Sequence, residues 1–252
     1  MQQVGRIGVA LVLGLGLLLR FLPAMAQPAD GRPSRALPEV DLQLILAVDC
    51  SRSIDSEEFA LQTEGYVAAF LHPAIARAIQ SGPQRRIAVT YVQWAGPTTQ
   101  IPVVDWTIID GPQTAALFAQ RIGETPRQVF GGGTSLSGVI DYARRSFEEQ
   151  RPAAVGGRRV LDISGDGTNN IGRQVPFARD EAISAGLIIN GLTILNEQPW
   201  LDDYFRDNVV GGPGAFVIAA ADYGSFASAI LAKLIREIAS AATPQLAELL
   251  AP

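Results

Sequence analysis

Two hydrophobic rhythms alternate along most of the chain. Leu42–Val48 is a short, nearly continuous apolar run, the pattern of a strand buried on both faces. Phe59, Tyr66, Val67, Phe70 and Leu71 then repeat at i, i+7, i+8 and i+11, the stripe of an amphipathic helix. Glu57 and Glu58 lie in its first turn, where negative charge suits the helix dipole, and His72-Pro73 reads as its end. Arg86–Trp94 is rich in β-branched and aromatic residues and predicts a second strand. An Ala95-Gly96-Pro97 turn leads into Gln100–Ile108, where Pro102 points to an edge strand of a hairpin. Gly111–Ile122 reads as a short helix. Leu136, Val139, Ile140, Ala143 and Phe147 mark a longer one after a run of three glycines. The alternation continues with strand 159–164, helix 175–185, strand 187–195, a short acidic helix or loop at 201–209 and strand 215–219. The closing helix carries Phe226, Ile230, Leu231, Leu234, Ile235 and Ile238 on one stripe.

Such alternation predicts an α/β fold: a doubly wound, mostly parallel six-stranded sheet with one antiparallel edge strand and helices on both faces. Residues 40–242 account for one domain. Residues 1–26 read as an export signal. Arg6 supplies a positive start, Ile7–Leu19 is a 13-residue run without a polar side chain, and Ala24-Met25-Ala26 is a cleavage site. That run is too short to span a bilayer, so a protein that is periplasmic or secreted, with no membrane span after cleavage, is expected. Residues 27–39 read as a Pro-rich linker and 243–252 as a C-terminal tail.

Composition narrows the chemistry. The 252 residues include 25 acidic and 20 basic side chains, and two of the basic ones fall in the export signal. An acidic mature chain lacks the basic face that nucleic-acid binding requires. One Cys excludes an internal disulfide and a Cys-based zinc cluster, and one His excludes a multi-histidine metal site. There is no G-x-S-x-G elbow and no P-loop. Cys50 is expected to be a small buried structural residue. Asp162 interrupts an apolar strand and needs a buried partner, expected among the arginines.

Ligands of doubly wound sheets bind beyond the carboxyl ends of the strands, where the winding reverses. Three segments fall at such ends: Asp49-Cys50-Ser51-Arg52-Ser53, Gly131-Gly132-Gly133-Thr134 and Gly165-Asp166-Gly167. Each alone is weak, since Ser in a strand-to-helix loop is commonly a helix cap and glycine loops are common turns. Together they offer two carboxylates and three hydroxyls, an all-oxygen set suited to a hard cation such as Mg²⁺, Ca²⁺ or Mn²⁺.

D-x-S-x-S followed by G-G-T and G-D-G resembles the von Willebrand factor type A (vWA) domain with its metal-ion-dependent adhesion site. The stretches Val48–Ser51, Tyr91–Gly96 and Ser164–Asn170 resemble a bacterial exported subgroup of that family. The resemblance implies that Ser51, Ser53 and Thr134 ligate the metal through hydroxyls. It implies that Asp49 and Asp166 sit at the metal directly or through water. It also implies a partner protein whose Asp or Glu completes the coordination, and no enzymatic activity. Arg52 stands where the family often has a small residue, and Gly165 where it often has Thr or Ser. The alternatives are a metal-dependent hydrolase using the same oxygens, which lacks a well-placed base, and a metal-free scaffold, which Arg52 favours.

Overall fold

A computed structural model describes residues 37–149 and 154–240. The export signal, most of the linker and the C-terminal tail lie outside the described residues. Among the described residues, the chain runs β1 (Leu42–Asp49), α1 (Ser56–Leu71), α2 (Pro73–Ser81), β2 (Ile87–Trp94), β3 (Gln100–Ile109), α3 (Pro112–Glu124) and α4 (Leu136–Glu148). It continues with β4 (Arg158–Gly165), α5 (Val175–Ser184), β5 (Leu187–Ile194), α6 (Leu201–Asn208), β6 (Val217–Ala220) and α7 (Phe226–Ala239). The sheet order is β3-β2-β1-β4-β5-β6. Every pairing is parallel except β2 with β3, the hairpin that Pro102 marks as an edge. No helix among these residues is long and apolar enough to cross a membrane.

The central strands read as continuous apolar runs because both faces are covered. Leu42, Leu44, Leu46 and Val48 of β1 pack into the core under α1, α2, α3 and α7. Ile45 and Ala47 face the opposite core, which holds Leu136, Val139 and Ile140 of α4 with Val175 and Ala178 of α5. The winding reverses between β1 and β4. From β1 the chain moves outward to β2 and β3, and from β4 the other way to β5 and β6. Val48 pairs with Ser164, so Asp49 and Gly165 emerge side by side at the same height. That crevice is where a ligand site is expected.

Three features depart from the sequence expectation. His72-Pro73 ends one helix and starts another. Proline at the first helical position costs no hydrogen bond, and His72 Nδ1 accepts from the Ala74 amide at 3.2 Å. The buried face of α1 is Phe59, Gln62, Gly65, Tyr66, Ala69 and Phe70, leaving Leu71 exposed. Gly65 rotates this face toward α7: a Cβ there would meet the Phe226 ring at 2.7 Å. Third, the partner of buried Asp162 is a lysine. Lys233 Nζ lies 2.5 Å from Asp162 Oδ1, both side chains fully buried. Burial raises the Asp162 carboxyl and the Lys233 charge lowers it, with a net rise to about 6. One turn further along α7, buried Glu237 accepts from the Asn190 amide and, at 3.3 Å, from Arg158.

Candidate metal centre

The first loop begins with the last residue of β1. Asp49 is fully buried, and its Oδ1 accepts the Ser51 amide at 2.7 Å, so the carboxylate turns back onto its own loop. Its Oδ2 is buried without a hydrogen-bond partner. A Cβ on residue 165 would stand 3.0 Å from that oxygen. Gly165, where the resemblance leads one to expect Thr or Ser, is thus the residue that lets β4 close against Asp49.

Ser51 and Ser53 are not helix caps. Asp55 caps α1, taking the Glu57 and Glu58 amides at 2.8 Å each, while Glu58 returns a bond from the Asp55 amide at 2.9 Å. The two serine hydroxyls are left for other work, 3.3 Å apart.

Gly131 and Gly132 carry the second loop through the left-handed region, at φ +73° and +102°, which side-chain-bearing residues rarely adopt. Gly132 carbonyl accepts the Arg52 amide at 3.3 Å, tying the two loops together. Thr134, buried, then donates from Oγ1 to Ser51 Oγ at 3.2 Å. The third loop brings Asp166. Its Oδ1 accepts Ser53 Oγ at 2.9 Å and its Oδ2 accepts the Tyr223 hydroxyl at 3.1 Å.

The five residues singled out in the sequence thus meet across three loops: Thr134, Ser51, Ser53 and Asp166 form one chain of oxygens, and Asp49 joins it through the Ser51 amide. Ser53 is exposed and Arg52 beside it points to solvent, so the cluster opens outward on that side. Asn169 and Asn170 lie on the Asp166 loop, Asn170 exposed; Trp200, also exposed, precedes α6.

The electrostatics favour a cation. Burial, reinforced by the Asp166 charge, pushes the Asp49 carboxyl up to about 7. Asp166 is raised chiefly by burial, against the Ser53 and Tyr223 hydrogen bonds that lower it. Among the described residues no group of three or more His, Cys, Asp or Glu could hold a metal. The donors are hydroxyl and carboxylate oxygens, which suit a hard ion. The spacing also fits. Ligands about 2.1 Å from a magnesium-sized ion stand about 3 Å apart along an octahedral edge. The Ser51–Thr134 and Ser51–Ser53 separations are 3.2 and 3.3 Å.

Two site residues carry no signal in the sequence. Arg127, in the α3–α4 connection, braces the first loop from behind. Its guanidinium donates to the carbonyls of Cys50 at 3.0 Å, Ile54 at 2.9 Å and Val129 at 2.8 Å, and lies over the Phe59 and Phe130 rings. Tyr223 reaches Asp166 from the segment before α7, 57 positions away. Neither belongs to a spacing motif, because each acts across the fold. Cys50 is buried, donates to the Val48 carbonyl, and has its thiol pushed up to about 12, first by burial and then by the Asp49 charge. It is a structural residue and not a nucleophile.

Both the sheet order and the loop constellation define a vWA-type fold, and comparison with solved structures agrees. Proximal thread matrix protein 1 from the mussel byssus superposes with a TM-score of 0.60 at 13% identity, over 80% of this chain and 48% of that one. A von Willebrand factor type A protein from Catenulispora acidiphila gives 0.54 at 15%, over 81% and 43%. The pilus adhesin SpaC from Lactobacillus rhamnosus GG gives 0.56 at 13%, over 81% and 31%. The chain thus spans less than half the length of each. The mussel protein is also known with a zinc-occupied metal-ion-dependent adhesion motif. No curated protein matches the sequence. The chain belongs to the DUF1194 family, described as protein of unknown function, whose model matches residues 39–242.

Proposed function

We propose that this protein is an exported, non-enzymatic binding module that holds a divalent cation at the β1–β4 crevice and captures another protein through it. Mg²⁺ is the first choice, with Ca²⁺ and Mn²⁺ as alternatives. Ser51, Ser53 and Thr134 hold the ion through their hydroxyls; Asp49 and Asp166 hold it directly or through water. The observation that carries the reading is the meeting of these five residues across three loops, with one Asp49 oxygen buried and unpartnered. A buried polar atom without a partner calls for an explanation, and a cation supplies one. The zinc-occupied motif of the mussel protein supports a divalent ion, and the adhesion and matrix proteins among the structural relatives support protein binding.

The bound ion supplies an electrophilic position for a partner's carboxylate. Three of the five ligands are neutral, so the two aspartates only offset the charge of the ion, and an added Asp or Glu is attracted. Arg52 at the rim favours the same negative group. A hydrolase would need a general base besides the two aspartates assigned here to the ion. His72 is the only histidine, and it sits at the far end of α1, whose 16 residues run about 24 Å from the site. Calorimetric titration with Mg²⁺, Ca²⁺ and Mn²⁺ tests the reading. The wild type binds, and Asp49→Ala and Thr134→Ala do not while keeping their circular dichroism. Capture of a partner must then be lost in chelator and after amide replacement of one partner carboxylate. Unchanged titration in both variants refutes the site.

A further inference from the structure

The loop that follows β4 does more than deliver Asp166. Asn170 lies four residues beyond it and grips the backbone of Thr134 from both sides. Its side-chain Oδ1 accepts the Thr134 amide at 2.9 Å, and its backbone N–H donates to the Thr134 carbonyl at 2.9 Å. Both backbone polar groups of one hydroxyl ligand are thereby tied to the loop that carries a carboxylate ligand. The approach is close enough to exclude a side chain. A Cβ on Gly133 would stand 2.7 Å from Asn170 Oδ1 and 2.7 Å from Ile171 Cγ2.

This grip is anchored to rigid elements. Asn169 Oδ1 accepts the Ser137 amide at 3.2 Å, in the first turn of α4, and its side-chain amide donates to the Arg173 carbonyl at 3.3 Å. The Arg173 guanidinium then forks onto two helices. It meets Asp141 of α4 at 2.6 and 3.0 Å, and Glu181 of α5 at 2.7 Å twice. Such bidentate pairs fix orientation as well as distance. The third loop is thus held at its foot by Arg173 and holds the second loop with Asn170.

We propose that Asn170 is a positioning residue of the metal centre, fixing Thr134 Oγ1 at its place relative to Ser51 and Asp166 before any ion arrives. The inference rests on the metal reading above. Asn170 touches no ligand side chain; it acts through the Thr134 backbone. Asn170 is exposed, so water can replace its carbonyl on the Thr134 amide when it is removed. Folding stability then changes little, while the geometry of the site is released. Residues that orient metal ligands from outside the ligand set commonly change affinity 10- to 100-fold when removed.

The test is a double-mutant cycle read by Mn²⁺ titration, with thermal midpoints and hydrogen exchange at the Thr134 amide measured in chelator. Asn170→Ala and Gly133→Ala disturb the same approach from opposite sides. Gly133 has no left-handed backbone requirement, so the alanine acts only through its Cβ. Each single variant is expected to weaken Mn²⁺ binding about 10- to 100-fold and to speed Thr134 exchange; the metal-free midpoint stays nearly unmoved in Asn170→Ala, whereas Gly133→Ala lowers it because its Cβ also displaces Ile171. The double variant is expected to be no weaker than the worse single one, because the shared contact can be lost only once. Wild-type affinity in Asn170→Ala, additive losses in the cycle, or a fall in affinity matched by a fall in midpoint in Asn170→Ala overturns the positioning role alone. Absence of Mn²⁺ binding by the wild type overturns the metal reading and this inference with it.

Discussion

Replacing Asp49 by asparagine separates the cost of this site from its use. In the metal-free protein, burial and the Asp166 charge raise the Asp49 carboxyl from 3.8 to about 7. An acid whose folded pKa lies above its unfolded one favours the fold only while protonated. Below about pH 4 both states are protonated and nothing is lost. Between about pH 4 and pH 7 the unfolded chain ionises first, and stability drains away as pH rises. Above about pH 7 the loss is complete. Three pH units at about 1.4 kcal/mol each set it at no more than about 4 kcal/mol. Asparagine carries no charge, and its carbonyl can still accept the Ser51 amide that Asp49 Oδ1 holds at 2.7 Å. In EDTA at about pH 8 the variant is therefore expected to be the more stable protein by about 2–4 kcal/mol. For a domain of this size that raises the midpoint by roughly 5–15 °C. At about pH 4 the two should coincide. Adding Mn²⁺ at a thousandfold excess over its dissociation constant offsets or reverses the difference: the wild type gains about 4.1 kcal/mol, and the variant gains nothing. Thermal unfolding followed by circular dichroism, with and without chelator across this pH range, measures all four limits. A variant no more stable than wild type at about pH 8 in EDTA refutes the uncompensated charge. A wild-type midpoint that ignores metal refutes Asp49 as a ligand.

Other consequences are as direct. Lys233→Met leaves Asp162 as an unpaired buried carboxylate and should cost about 3–5 kcal/mol, while the double variant Asp162→Leu/Lys233→Met recovers most of it. Denaturant unfolding of the wild type and the two variants checks this, and equal loss in the single and double variants contradicts it. Cys50 should react with a thiol reagent only after unfolding, because its sulfur is buried and its thiol is pushed up to about 12. Rapid labelling of the native protein would show that the first loop opens.

Much of this architecture is legible in the order of residues. The sequence pattern places the six strands and five of the seven described helices, leaving 201–209 open as helix or loop, because a strand covered on both faces must be apolar throughout and a surface helix must carry a stripe. Pro102 announces an edge because proline cannot donate to a second neighbour. The ligand set is legible for a related reason. In a doubly wound sheet the strand ends are the only places where loops converge, so Asp49, Ser51, Ser53, Thr134 and Asp166 can be grouped before any coordinate is known. What the sequence leaves open is decided by contacts between distant segments. His72-Pro73 stops a helix or starts one with equal ease, and packing under α7 chooses the start. A buried Asp162 demands a cation, but only the docking of α7 selects Lys233 over the seventeen arginines elsewhere in the mature chain. The capping question is settled by Asp55, whose carboxylate takes the α1 amides and leaves Ser51 and Ser53 free. Arg127 and Tyr223 complete the site from two other segments, and Asn170 from within the Asp166 loop. Their roles consist of bonds to backbone and carboxylate atoms that the fold brings near, and no local pattern encodes a bond made across the molecule.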